Sequence, residues 1–257
     1  MSSTANTEVS GVNCRPVPPV AAGTDRPLWS VLIPVRNCAA YLRQTLESVM
    51  RQAPGVQQMQ ILVIDDCSDK DDPESVVRAY GGRVEFFRQP FNAGKAGNYQ
   101  TGLELSRGQL IHQLHGDDLV SDDFYQRMQD CFARWSDCGA FFCESIYIDE
   151  HGNAVGRTGR EQISSGPLSD FAEVLYCTQR IQTPSMVVRR TVYEALGGFD
   201  YRLTACEDWE MWFRAALRFP IGFNAETTAL YRVYQNNTSA RSVLEGRRVA
   251  LYRQAVE

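Results

Sequence analysis

The hydrophobic positions in the first half of the chain alternate between two patterns. Short, nearly continuous apolar runs are followed by stretches in which apolar residues recur at helical spacing. The first run, WSVLIPV at 29–35, has the length and composition of a strand covered on both faces. Behind it, apolar residues from Tyr41 to Met50 lie three and four positions apart, which predicts an amphipathic helix ending near Gln52.

The same alternation repeats before residue 136. Strands are predicted at 59–65, 84–88 and 110–115, and helices from Pro73, over Gly94–Leu105 and over Phe124–Trp135. Strands that alternate with helices predict a parallel sheet covered by helices, and ligands of such sheets bind beyond the carboxyl ends of the strands. We therefore expect a functional site at those strand ends.

The second half of the folded region is less regular. It predicts strands at 140–149, 185–190 and 223–234, a Gly- and Ser-rich stretch around 156–169, a short helix that stops at Gly197-Gly198, and a helix that carries Trp209 and Trp212. Both tryptophans belong to one apolar stripe, so we interpret them as core residues rather than as a sugar platform. His112 lies within a predicted buried strand and is interpreted as structural.

The ends of the folded region follow from composition. Residues 2–27 contain four prolines and no Leu, Ile, Met or aromatic residue, which is typical of a segment that cannot bury enough surface to order. No internal repeat and no long linker interrupts the remainder. The sequence predicts a disordered tail over 1–27 and one domain over 28–257.

Composition and charge restrict the classes of partner. The 257 residues carry a net charge of -5, and this acidic balance disfavours nucleic acid and anionic membranes as partners. No apolar stretch approaches the ~20 residues that cross a bilayer, and the first residues do not resemble a leader. Eight cysteines without a C-x-x-C pair indicate free thiols, and together these features predict a cytoplasmic location.

Three acidic pairs are candidates for chemistry. Asp65-Asp66 and Asp117-Asp118 end predicted strands, and Glu207-Asp208 begins a predicted helix. Each pair alone has an ordinary explanation, because acids cap helices, form turns and favour a first helical turn. Adjacent carboxylates that leave a strand point in different directions, so one of them can hold a hydroxyl and the other a hard divalent cation. Such a cation would let an acidic protein bind a diphosphate.

Two common nucleotide motifs are excluded. The segment FNAGKAGN at 91–98 contains Gly-Lys, but Ala96 stands where a phosphate-binding P-loop needs Ser or Thr, and the earlier glycine is missing. No G-x-G-x-x-G string follows the first strand at Val35, which excludes the dinucleotide fingerprint.

Four segments together resemble the family 2 glycosyltransferases. They are WSVLIPVRN to YLRQTLESVMRQ (29–52), ILVIDDCSD (61–69), NAGKAGNYQTGLELSRGQLIHQLHGDD (92–118) and SMVVRRTVYEALGGFDYRLTACEDWEMWFR (185–214). Single segments are moderately specific, whereas four in order and spacing are highly specific. The resemblance implies the GT-A fold, an α/β domain with a mainly parallel central sheet flanked by helices. It also implies an inverting transferase that uses a nucleoside-diphosphate sugar.

The resemblance further implies the site residues. It places Pro34, Asn37 and Asp66 around the nucleotide, where Asp66 accepts a pyrimidine N–H, and it places Lys95 and Asn98 in a loop that approaches the nucleotide. Asp117 and Asp118 belong to the metal motif, with Asp118 as the ligand of Mg²⁺ or Mn²⁺. Asp208 is the catalytic base and Glu207 is its neighbour. Four positions depart from the family pattern. Many relatives have Tyr, Gly, Asp and His where this chain has Arg36, Cys67, His115 and Tyr234.

The resemblance also implies the partners. The donor would be a UDP- or dTDP-sugar of the hexose or deoxyhexose class, and the acceptor a glycan or lipid-linked hydroxyl in cell-surface polysaccharide assembly, met at the inner face of the membrane. Two alternatives stay open. The first is a degenerate module that only binds a nucleotide sugar or glycan, and the presence of Asp118 and Asp208 disfavours this hypothesis. The second is a sugar nucleotidyltransferase, which is disfavoured because the Gly-rich loop that its chemistry needs is missing after Leu32. The sequence gives no indication of the oligomeric state.

Overall fold

The structure is a computed structural model that describes residues 13–234, in which helices cover both faces of one sheet. In chain order its elements are β1 (Trp29–Val35), α1 (Ala39–Met50), β2 (Met59–Asp65), α2 (Pro73–Arg78), β3 (Glu85–Arg88), α3 (Gly94–Leu105), β4 (Leu110–Gln113), β5 (Leu119–Val120), α4 (Phe124–Arg134), β6 (Ala140–Ile148), β7 (Ala154–Arg157), β8 (Gly166–Pro167), α5 (Phe171–Cys177), a 3₁₀ turn (Thr183–Ser185), β9 (Met186–Arg189), α6 (Arg190–Leu196), α7 (Glu207–Ala216) and β10 (Ile221–Arg232).

The strand order is β3-β2-β1-β4-β9-β6-β10-β5, with β7 paired to β6 and β8 paired to β10. The first four strands are parallel to one another, and β6 and β10 are parallel to each other. Because β9 is antiparallel to both β4 and β6, these six strands all point the same way. The predicted α/β fold with a mainly parallel sheet is confirmed.

The position of β1 determines where a ligand fits. Its chain neighbour β2 lies on one side and β4 on the other, so the strand order reverses at β1. Loops that leave the carboxyl ends of such a pair diverge to opposite faces and open a crevice between them. The loops after β1, β2 and β4 therefore meet at one edge of the sheet, where the sequence predicts the site.

Burial on both faces of β1 explains its continuous apolar pattern. Val31, Ile33 and Val35 pack in one core with α1 and α4, whereas Leu32 packs in a second core with α3 and α7. Each fully buried side chain of this kind contributes about 1.5–3 kcal/mol. The second core includes Trp212, which is 1% exposed, so the interpretation of the tryptophan stripe as core is confirmed.

His112 is structural, as predicted. It is fully buried in β4, and its two ring nitrogens lie 3.0 Å from the Tyr125 hydroxyl and 2.9 Å from the Pro184 carbonyl. Burial lowers the pKa of His112 to about 4, so this imidazole is neutral near pH 7. All eight cysteines lie within the described residues, where none forms a disulfide.

The prediction of a disordered tail over 1–27 is wrong for residues 13–18, which pack against the domain. Val17 is 2% exposed, and Nη2 of the buried Arg190 donates a hydrogen bond to the Pro18 carbonyl at 3.0 Å. Hydrogen bonds to backbone carbonyls hold this segment against the domain, and amino-acid composition does not reveal such bonds. The residues before position 13 lie outside the described part of the chain.

Some short elements were not predicted. A two-residue strand such as β5 or β8 shows no periodicity, and β7 is exposed throughout. Helix α5 has seven residues, of which Phe171 and Leu175 are buried, and that is too short a pattern to predict a helix. Between residues 13 and 234, no helix combines the length and the apolar character needed to cross a bilayer.

Candidate functional site

An open pocket of about 620 Å³ lies at the carboxyl ends of β1, β2 and β4. Its walls are the loops after these strands, the first turn of α3 and the end of β10. It brings together seven of the nine predicted site residues: Pro34, Asn37, Asp66, Lys95, Asn98, Asp117 and Asp118. The other two, Glu207 and Asp208, are connected to this pocket through Lys95.

Asp66 lies directly after β2, where its backbone N–H donates to the Val35 carbonyl at 2.9 Å. Its Oδ1 accepts a hydrogen bond from the Ala93 N–H at 2.6 Å, which ties the start of α3 to the sheet. Burial raises the pKa of Asp66, and the amides of Ala93 and Gly94 offset part of that rise. With Oδ1 engaged by the backbone, Oδ2 is the oxygen left for a ligand.

Asn37 and Asn98 line the pocket, but their side chains hold its walls. Asn37 has a left-handed backbone with φ 53°, and its amide bonds to the backbone N–H of Asp69 and Lys70 and to the Asp69 carboxylate. Asn98 is 2% exposed and donates to the Ile64 carbonyl at 2.8 Å. A direct contact of either side chain with a nucleotide stays a prediction.

The turn after β4 holds a cluster of possible metal ligands. One ligand atom each from His115, Asp117 and Asp118 lie within 4.8 Å of one another. Asp118 is 1% exposed, and its Oδ1 accepts a hydrogen bond from the Arg232 N–H at 2.8 Å. Its Oδ2 is buried without a hydrogen bond and lies 3.4 Å from Nδ1 of His115.

These donors fit a divalent cation. Burial raises the pKa of Asp118, because an ionised carboxylate loses hydration there without full compensation. Burial lowers the pKa of His115, but Asp118 and Asp117 raise it by more. A buried carboxylate oxygen without a hydrogen bond, beside a second carboxylate and an imidazole, is a donor set that Mg²⁺ or Mn²⁺ can satisfy.

The end of β10 holds this turn in place. The buried Arg232 donates from Nε to the Asp117 carbonyl at 2.8 Å, and its guanidinium lies 4.6 Å from the centre of the Tyr41 ring. Tyr234 donates from its hydroxyl to Asp117 Oδ2 at 2.9 Å. Tyr234 therefore orients a carboxylate of the cluster. The role of Arg232 was not predicted, because a sequence does not show which carbonyl an arginine reaches.

Gly116 allows the turn to lie against β1. A Cβ atom at this position would be 2.4 Å from Val35 Cγ1 and 3.0 Å from Cys38 Sγ. We expect Gly116→Ala to lower the free energy of unfolding by about 1–3 kcal/mol, because buried neighbours must move. Urea unfolding measures this change. Gly159→Ala is the matched control, since no atom lies within 4 Å of its added Cβ; equal losses in both variants would contradict the steric account.

Glu207 and Asp208 occupy the first turn of α7, where the helix dipole favours negative charge. Asp208 accepts hydrogen bonds from the Thr183 hydroxyl and the Trp209 N–H, both at 2.7 Å. Glu207 is 1% exposed, and its Oε1 lies 3.1 Å from Lys95 Nζ. The contact of Thr183 with the predicted base had no signal in the sequence.

Lys95 connects the pocket to this acidic pair. It lies in the first turn of α3 and forms an ion pair with Glu207. Burial lowers the pKa of Lys95, but Glu207 and Asp208 raise it by more, so the amine is positively charged at neutral pH. The residue predicted to approach the nucleotide is therefore also the counter-charge of Glu207.

Comparison with known proteins gives the family. The profile of glycosyl transferase family 2 matches residues 30–197. The uncharacterized glycosyltransferase RT0329 of Rickettsia typhi is 24% identical over 218 residues, which cover 84% of this chain and 67% of that protein. The uncharacterized glycosyltransferase MG025 of Mycoplasma genitalium is 30% identical over 128 residues, which cover 48% of this chain and 42% of that protein.

Solved structures agree on the fold. S. aureus TarS 1–349 in complex with UDP-GlcNAc aligns with a TM-score of 0.69 and 16% identity over 81% of this chain and 59% of that chain. The mannosyltransferase PcManGT from Pyrobaculum calidifontis, in complex with GDP-Man and Mn²⁺, aligns with a TM-score of 0.65 and 18% identity over 93% of this chain and 66% of that chain. This chain thus spans less than two thirds of both structures. With the profile matched from β1 to the end of α6 and this fold around the pocket, the chain belongs to glycosyl transferase family 2 and has the GT-A fold.

Proposed function

We propose that this protein transfers a sugar with inversion from a UDP- or dTDP-sugar to an acceptor hydroxyl, with Asp208 as base and a divalent cation at Asp117 and Asp118. The observation that carries the proposal is the shared wall of the pocket. Asp66, the acidic turn and Lys95 line one pocket, and Lys95 reaches Glu207 beside Asp208. In this proposal Asp66 recognises the donor, the cation held by the acidic turn stabilises the leaving group, and Asp208 removes the proton.

Asp66 recognises the nucleobase in this proposal. Its Oδ1 is held by the Ala93 amide, so its Oδ2 accepts the single ring N–H of uracil or thymine. The Asp66 main chain is in turn fixed to β1 through the Val35 carbonyl. A carboxylate held in this way selects bases that present an N–H donor.

Asp117 and Asp118 serve the diphosphate. A bound Mg²⁺ or Mn²⁺ supplies Lewis-acid stabilisation of the negative charge that develops on the departing nucleoside diphosphate. The chain's part is to keep both carboxylates oriented, which Tyr234 and the Arg232 backbone do through hydrogen bonds of 2.9 and 2.8 Å. Complexes of PcManGT and of GalNAc-T7 that contain Mn²⁺ support this assignment.

Asp208 activates the acceptor. As the acceptor oxygen bonds to the anomeric carbon, its proton passes to the Asp208 carboxylate, and the bond from that carbon to the diphosphate oxygen breaks with its electron pair on the diphosphate. Attack from the face opposite the leaving group inverts the anomeric configuration. The Thr183 and Trp209 hydrogen bonds fix the direction of the Asp208 carboxylate.

The proposal extends to the biological setting, for which the resemblance to the family is the support. We assign the acceptor to glycans or lipid-linked glycans, in cell-surface polysaccharide assembly, with the cytoplasm and the inner face of the membrane as the place of reaction. The donor sugar belongs to the hexose or deoxyhexose class in this proposal.

Thermal unfolding with a panel of UDP-, dTDP- and GDP-sugars tests the donor and the cation together. Free donor at about 100 times its Kd stabilises the fold by roughly 2.7 kcal/mol. We expect a shift with UDP- or dTDP-sugars in Mn²⁺ or Mg²⁺, smaller in EDTA, and lost in Asp66→Asn. A shift with GDP-sugars alone would overturn the pyrimidine assignment, and no shift with any donor would contradict the proposed function.

A further inference from the structure

We propose that His115 is a nitrogen ligand of the divalent cation and that Tyr99 is the positioning residue of its imidazole, so that the site prefers Mn²⁺ to Mg²⁺. The proposal rests on the proposed function in one respect, the presence of a cation at the turn after β4. It concerns a residue to which the resemblance assigns no role. It goes beyond the two carboxylates that the resemblance implies.

Nδ1 of His115 is close to the Asp118 carboxylate. Nδ1 of His115 lies 3.4 Å from Asp118 Oδ2, and the ligand atoms of these two residues and of Asp117 lie within 4.8 Å. In an octahedral shell with bonds of about 2.1 Å, neighbouring ligand atoms are roughly 3 Å apart and opposite ones roughly 4.2 Å. The 3.4 Å between Nδ1 and Asp118 Oδ2 is thus close to the spacing of neighbouring ligands, and a contraction of a few tenths of an ångström would bring the cluster to the dimensions of one shell.

The other ring nitrogen of His115 has a hydrogen-bond partner. Nε2 of His115 lies 2.6 Å from the Tyr99 hydroxyl, and the two rings are stacked with centroids 5.8 Å apart. In the tautomer that carries its proton on Nε2, the imidazole donates to the Tyr99 oxygen and leaves the Nδ1 lone pair facing Asp118. A partner on one ring nitrogen commonly determines which nitrogen binds a metal.

Tyr99 itself is held firmly. It is 4% exposed on α3, and its ring packs edge-on against Phe199 with centroids 5.0 Å apart. A tyrosine fixed by packing restricts the rotation of the imidazole it contacts. The buried Oδ2 of Asp118, which accepts no hydrogen bond, faces the same imidazole, so the carboxylate oxygen and the imidazole nitrogen can bind one cation.

The donor set gives the expected metal preference. Imidazole suits first-row transition ions, whereas Mg²⁺ is bound mainly by oxygen and retains its waters. A neutral imidazole also carries one negative charge less than a carboxylate, which weakens the attraction for both divalent cations, so the preference arises from the nitrogen donor. We expect the ratio of Mn²⁺ to Mg²⁺ affinity to fall at least about tenfold in His115→Asp.

Pulsed electron paramagnetic resonance of Mn²⁺ added alone to the full chain tests the ligand directly. We expect ¹⁴N modulation from a bound imidazole, which changes to the ¹⁵N pattern when the protein is labelled with ¹⁵N-histidine. The chain has three histidines, and both ring nitrogens of His112 already have partners. His151→Gln is the matched control, because His151 is exposed and outside the pocket, and it should keep the modulation.

Two variants of the site separate ligation from folding. His115→Asp should still bind Mn²⁺, counted by loss of the aqueous Mn²⁺ signal, but show no nitrogen modulation. Tyr99→Phe keeps the ring and removes the hydroxyl, and we expect Mn²⁺ affinity to fall about 10–100-fold, as for other partners of ligating histidines. Circular dichroism verifies that both variants are folded.

The outcomes are distinguishable. Bound Mn²⁺ without nitrogen modulation in the unmodified protein would overturn the role of His115 and leave the proposed function intact. Modulation that persists in His115→Asp would also overturn it. An unmodified protein that binds UDP-sugars but no Mn²⁺ would overturn both this inference and the cation of the proposed reaction.

Discussion

Replacing Asp208 with asparagine should leave donor binding unchanged and lower the turnover number by about a hundredfold or more. General base catalysis contributes about 10²–10⁴ in rate, or roughly 3–5 kcal/mol of the barrier. Asparagine has the same shape, accepts from the Trp209 N–H and donates to the Thr183 hydroxyl, so the fold around α7 is preserved. What is lost is the oxygen that takes the acceptor's proton.

Nucleoside diphosphate release at saturating donor measures this loss, and calorimetry measures donor binding. Asp137→Asn is the control, because this exposed aspartate precedes β6 at the opposite edge of the sheet. Turnover within a few fold of the unmodified protein would remove Asp208 from the role of base. A parallel loss of donor binding would instead assign it to the donor pocket.

The second large effect is expected for Asp118→Asn. Its Oδ1 continues to accept from the Arg232 N–H, but the charged oxygen without a hydrogen bond is replaced by an amide that can donate to His115. Because a metal ion supplies several kcal/mol of stabilisation to the leaving group, we expect turnover to fall by about a hundredfold or more and its dependence on Mn²⁺ to disappear.

For the stability of Asp118→Asn without a cation we expect no loss, in contrast to its turnover. Removing a buried charge whose cation is absent relieves a desolvation cost, so thermal stability in EDTA should be equal to or higher than that of the unmodified protein. Rates across a Mn²⁺ titration and unfolding in EDTA provide the two readouts. Unchanged cation dependence would show that Asp118 is not the ligand, and a large loss of stability in EDTA would assign it a structural role.

Much of the fold was predictable because its nucleotide-binding half repeats one local pattern. Strand β1 and helix α3 have the predicted bounds, because β1 buries side chains on both faces and α3 packs its apolar residues into one core. The antiparallel direction of β9 and the pairing of β5 with β10 were not predictable. They depend on which distant segment offers a free edge, and local hydrophobicity carries no information on that.

The site was predictable in its membership and less so in its contacts. Seven predicted residues line one pocket because the carboxyl ends of parallel strands meet at one edge. The ion pair of Lys95 with Glu207 and the contact of His115 with Tyr99 join different elements, so only packing reveals them. For Asn98 the motif position indicates a contact with the ligand, whereas in the structure its side-chain amide donates to the Ile64 carbonyl.

The central claim, transfer from a nucleotide sugar by Asp208 with a cation, is tested most directly by identifying the nucleotide product. The unmodified protein and Asp208→Asn are incubated with UDP- and dTDP-sugars, Mn²⁺ and a set of glycan acceptors, with water as the minimal acceptor. Release of UDP or dTDP by the unmodified protein, at least about a hundredfold slower in Asp208→Asn and suppressed by EDTA, is the predicted result. Release of a nucleoside monophosphate would indicate nucleotidyl chemistry, and donor binding without any release would indicate a binding module; either result would contradict the claim.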